Sequence, residues 1–85
     1  MEQIYDRNGE PLAIVPVSER MLDILDTGEE MTVIYHTPQL LRDKLGNRSG
    51  NFVLYKVGDQ IRVTNPKPFM EFVQIQAGVE AAQGS

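Results

Sequence analysis

No cysteine occurs in the 85 residues, so neither a disulfide nor a thiolate metal site can hold the chain together. Histidine occurs once, at His36, and no second ligand stands at His-x-x-x-His or Glu-x-x-His spacing, so a zinc or hydrolytic centre has no frame. Positive charge is also scarce: eight Lys and Arg face twelve Asp and Glu, for a net charge of −4. That balance argues against nucleic-acid binding, which needs a basic footprint on the phosphates. No apolar run approaches a membrane span, and Met1-Glu2-Gln3 is acidic with no apolar stretch after it. A cytoplasmic protein is the expectation.

What is present fits an ordinary globular domain, with 41% hydrophobic and 24% charged residues. A chain of this size buries only roughly 60–65% of its unfolded surface, which makes for a thin core. The expected organisation is a single domain over residues 1–76 with a frayed tail over 77–85. Charge is unevenly spread. Residues 1–30 carry eight acids against Arg7 and Arg20, whereas 31–67 carry six bases against Asp43 and Asp59. The asymmetry permits self-association or a charged partner, although two solvated faces of opposite sign that happen to follow chain order are the favoured reading.

Two hairpin signals dominate the pattern. Asn8-Gly9 and Gly58-Asp59 supply the positive φ that two-residue hairpin turns need. Around Asn8-Gly9, the register places Arg7 opposite Glu10, Tyr5 opposite Leu12 and Ile4 opposite Ala13. Pro11 lacks an N–H on the side away from its partner, which marks 10–15 as an edge strand. Ser18 is placed to cap a helix over 19–27, with Val17 and Leu22 as a staple and Gly28 to end it.

Met31–His36 reads as a strand or an extended connection. Thr37-Pro38 then opens a helix that runs to Leu45 and stops at Gly46. After the 46–50 loop comes the second hairpin over 51–64, and Asn65-Pro66-Lys67-Pro68 reads as an extended connector because of its two prolines. Phe69–Gln76 reads as a last strand. The order ββ-α-β-α-βββ predicts an α+β fold: a mostly antiparallel sheet of about five to six strands, with two short helices packed on one face.

The second hairpin is apolar on both faces. Its register pairs Val57 with Gln60, Lys56 with Ile61, Tyr55 with Arg62 and Leu54 with Val63. Phe52, Leu54, Ile61 and Val63 share one face; Val53, Tyr55 and Val57 share the other with Gln60, Arg62 and Thr64. A sheet with one face in water usually alternates more cleanly. Val53, Tyr55, Val57 and Arg62 are therefore the interface candidates, with internal core as the competing reading.

Gly46-Asn47-Arg48-Ser49-Gly50 has the composition of an anion cradle, with Arg48 and Ser49 as its donors. It runs from helix to strand, however, whereas phosphate loops run from strand into a helix N-terminus. A plain helix-to-strand turn is the favoured reading. Glu29-Glu30 reads as a solvated pair.

Residues 4–25 resemble the Phd/YefM antitoxins over a short strand, an Arg-x-Gly-x-Pro hairpin, an apolar strand and a capped helix. Arg7, Gly9, Pro11, Ala13 and Val15 are the matching positions. The resemblance implies part of a dimeric DNA-binding domain. That family also places a helix before the hairpin and a toxin-binding tail after it, whereas strands follow here.

The sequence therefore predicts a non-enzymatic interaction module that self-associates or binds a protein partner, without cofactor, metal, membrane or nucleic acid. The alternatives are an antitoxin-like or transcriptional regulator that binds DNA through 42–67, and a small-molecule binder that uses the 46–50 loop.

Overall fold

The computed structural model describes residues 1–83. It is an α+β fold with a five-stranded sheet and three α-helices. The strands are β1 (Glu2–Tyr5), β2 (Pro11–Val15), β3 (Met31–His36), β4 (Ser49–Val57) and β5 (Gln60–Val63), and the helices are α1 (Glu19–Asp26), α2 (Arg42–Leu45) and α3 (Pro66–Gln83). The sheet order is β2-β1-β5-β4-β3. The sheet is mixed rather than mostly antiparallel, because β1 and β5 run parallel, with Ile4 beside Ile61 and Tyr5 beside Arg62.

The second hairpin forms in the predicted register, from Leu54 beside Val63 to Val57 beside Gln60. Gly58 takes φ +61°, the positive angle its turn demands. The first hairpin differs. Its loop is Arg7-Asn8-Gly9, closed by Asp6 N–H donating to the Glu10 carbonyl at 2.9 Å. The Asp6 carboxylate also accepts from the Asn8 and Glu10 N–H groups at 2.8 and 2.9 Å. Only Gly9 has positive φ, so this is a longer loop with one left-handed residue. The extra residue shifts the register, and Tyr5 faces Pro11 rather than Leu12. Ile4 still faces Ala13, and β2 is a sheet edge, as Pro11 implied.

Helix α1 starts where its cap predicts, with Ser18 Oγ accepting from Met21 N–H at 3.2 Å. The Thr37–Leu45 segment is less regular: a 3-10 turn at Gln39–Leu41 precedes the single turn of α2. Thr37 does not cap it. Its buried hydroxyl accepts from Arg48 N–H at 3.0 Å and donates to Arg48 O at 3.2 Å, extending the β3–β4 ladder.

The largest correction lies after Asn65. The expected connector and strand 69–76 are one helix, α3, which continues through Gln83 where a frayed tail was expected; Gly84 and Ser85 lie outside the described residues. Pro66 and Pro68 occupy the first turn, where backbone N–H groups have no intrahelical acceptor and a missing one costs nothing. The first helical bond runs from Phe69 N–H to Asn65 O at 3.2 Å. Apolar residues surround much of α3, so neither helical nor strand periodicity stands out.

Helices α1 and α3 and the 3-10 turn cover the same sheet face. Leu25 of α1, Leu41 of the 3-10 turn, and Phe69 and Ile75 of α3 join Ile4, Val15, Tyr35, Phe52, Leu54, Ile61 and Val63 in one core. Phe52 is its centre, with ring centroids 5.3 Å from both Phe69 and Phe72 and 6.1 Å from Tyr35.

Candidate functional site

Because β-strand side chains alternate, a sheet with every helix on one side leaves its other face open. Tyr55 faces Arg62 across β4 and β5, and Tyr5 lies beside Arg62 across β1 and β5. The three make a Tyr–Arg–Tyr row over three central strands. Four of the six aromatic residues pack in the helix-covered core, and Tyr5 and Tyr55 are the other two. Around the row stand Val53 opposite Thr32, Val57 opposite Gln60, and Ile14 opposite Gln3. Ile14, Val57 and Ile34 are 59%, 43% and 79% exposed.

The structure thus gathers all four sequence-derived interface candidates on one face and adds Tyr5. Tyr5 was hidden because its neighbour Arg62 lies far along the chain, and no local pattern encodes a parallel pairing. One signal existed: with Pro11 making β2 an edge, the other side of β1 is where a further strand must join.

Arg62 is held in place by its own chain. Its Nε and Nη2 donate to Gln60 Oε1 at 3.1 and 2.9 Å, and Nη1 donates to the Arg7 carbonyl at 3.1 Å. The guanidinium thereby ties the β4–β5 hairpin to the Arg7-Asn8-Gly9 loop. A Cβ at Gly9 would lie 3.2 Å from Arg62 Nη2, so glycine there serves both the backbone angle and this close approach.

The 46–50 segment is different from the cradle its composition suggests. Ser49 and Gly50 are already strand residues of β4, and Arg48 Nη1 pairs with Glu71 Oε2 at 3.2 Å. An anion there would compete with a carboxylate. The six bases of 42–67 do not all share one face. Lys56 pairs with Asp26 on the helix-covered side, Arg62 belongs to the open face, and Arg48 reaches α3.

Among the described residues, no three His, Asp or Glu side chains group closely enough to hold a metal ion. No helix there is long and apolar enough to cross a membrane. Burial, then the hydrogen bond and negative charge of Glu71, raise the Tyr35 phenol above its ordinary value. The bond, Tyr35 OH to Glu71 Oε1 at 3.0 Å, belongs to the core edge.

No family model matches the chain, and no curated protein or solved structure matches it. The hairpin and capped helix read from residues 4–25 form, and β1 of that hairpin is an inner strand of a larger sheet.

Proposed function

We propose that this protein is a non-enzymatic interaction module of the cytoplasm that binds a protein partner through its open sheet face. The observation that carries this is the Tyr5–Arg62–Tyr55 row, flanked by Val53 and Val57, on the one sheet face that no helix covers. Tyr and Arg are among the residues enriched at the centres of protein interfaces. Internal hydrogen bonds hold the Arg62 fork before any partner arrives, so less side-chain freedom remains to be lost on binding. The acidic balance of the chain counts against DNA binding, which needs a basic footprint.

The test is Tyr55→Ala. An interface anchor should lose about 2 kcal/mol of association, roughly thirtyfold in affinity, while folding stability changes by less than ~1 kcal/mol. Binding of captured partners by wild type and variant, with denaturant melts of both, separates the two effects. A large fall in melting midpoint with unchanged binding would overturn the reading.

A further inference from the structure

The two edges of the sheet are not alike. At β2, Pro11 removes an outward N–H, and the irregular register between Ile4 and Tyr5 bends the strand, two devices that discourage another strand from adding. At the other edge, β3 reads Met-Thr-Val-Ile-Tyr-His, six regular residues with no proline, no bulge and no Lys, Arg, Asp or Glu.

The ladder shows which β3 groups are unused. Thr37 N–H donates to Arg48 O, and in an antiparallel pair the direction of the backbone groups alternates along the strand. Met31, Val33 and Tyr35 therefore point their N–H and C=O groups at β4, and Thr32, Ile34 and His36 point theirs outward. Thr32, Ile34 and His36 are exposed, and β3 has no further strand beside it among the described residues.

We propose that β3 pairs antiparallel with β3 of a second copy of this chain, about a two-fold axis at Val33. An antiparallel pair of identical strands has its axis perpendicular to the sheet, so paired residues must lie on the same face. Centring on Val33 sets Val33 against its own copy as a non-hydrogen-bonded pair, the kind in which side chains approach most closely. Thr32 then exchanges backbone bonds with Ile34 of the other copy, which places the exposed Ile34 side chain against the Thr32 methyl. The same register sets Glu30 beside the other copy's His36, whose ring N–H can donate to the carboxylate.

The occupant is a second copy because the strand is self-complementary in this register and because the other edge is blunted. Each chain offers one open edge, so assembly closes at two chains and does not run into a filament. The axis keeps all helices on one side of a ten-stranded sheet. Both open faces then lie side by side, although the pairing does not depend on what they bind.

The absence of cysteine allows a direct test in the full chain. Val33→Cys should oxidise to a covalent dimer, and Ile34→Cys, whose counterpart across the axis is Thr32, should link roughly tenfold or more slowly. Ile34→Pro removes only an outward N–H, so it should abolish dimers in sedimentation velocity while circular dichroism stays unchanged. Equal, collision-limited linking of both cysteine variants, or preferential linking of Ile34→Cys, overturns the proposal. So does a wild-type chain that sediments as a monomer across the concentration series. If Ile34→Pro does not fold, the cysteine pair still decides the question. Tyr55→Ala should leave the dimer intact, which separates this pairing from binding at the open face.

Discussion

Tyr35 and Gly50 face each other across β3 and β4, and the tyrosine ring occupies the space that a side chain at position 50 would need. A Cβ on Gly50 would lie 2.5 Å from the Tyr35 hydroxyl oxygen and 2.9 Å from the ring carbon that bears it. The glycine lets the ring lie over the strand and reach Glu71, which in turn pairs with Arg48. β3, β4 and α3 are joined through this contact.

Gly50→Ala should therefore push the ring aside, at a cost of about 1–3 kcal/mol from overpacking. Adding Tyr35→Ala should remove most of the extra cost, so the two changes will be non-additive. A double-mutant cycle by urea melts measures the coupling.

The Tyr35 phenol gives a pH dependence with a definite sign. Its folded pKa lies above the ordinary 10.0 because burial and Glu71 both disfavour the phenolate. The folded state thus holds that proton more tightly than the unfolded chain. Its contribution is complete below about pH 10 and is lost as pH rises through the folded value. The urea midpoint should fall on the alkaline side, and Tyr35→Phe should flatten the fall relative to wild type.

Arg62→Ala removes three hydrogen bonds, two to Gln60 within β5 and one, to the Arg7 carbonyl, that connects the two hairpins. A loss of about 1.5–3 kcal/mol is expected, since these bonds come from a charged group. Hydrogen exchange should show the loosening in the Arg7-Asn8-Gly9 loop before it appears in β4. Exchange that rises equally everywhere would assign Arg62 to general packing instead.

Phe52 touches three other aromatic rings at the centre of the core. Phe52→Ala should cost about 3–5 kcal/mol, a large part of what a small domain has. Val53→Ala, one residue along but on the open face, should cost far less. Melts of the two variants side by side check that the faces differ as described.

The elements with complete local signals were legible in the sequence. The Gly58-Asp59 hairpin formed in its predicted register, Ser18 capped α1, and Pro11 marked an edge. Consequently the pairing of Tyr55 with Arg62, the core of the candidate face, follows from the position of the Gly58-Asp59 turn alone. Two features were not legible. Pro66 and Pro68 resembled a connector because a first-turn proline and an extended proline have the same letters, and the apolar surround of α3 hides the helical period that would distinguish them. Tyr5 joined the row through a parallel pairing that no turn specifies. In the 46–50 segment composition does not show why Gly50 is small: a Cβ there would meet the Tyr35 ring.

The parallel pairing of Ile4 with Ile61 has a temporal consequence. On the ribosome the first hairpin emerges early, but the strand that covers its inner side emerges only after β3 and β4 have been made. Until then Ile4 has no Ile61 beside it, and the hairpin is a two-stranded ribbon of marginal stability. The sheet must close across this long loop in a late step, so the domain should mature slowly for its size. While it waits, the nascent chain exposes the inner side of β1 as an unpaired edge, and that interval is when chaperones would have most to hold.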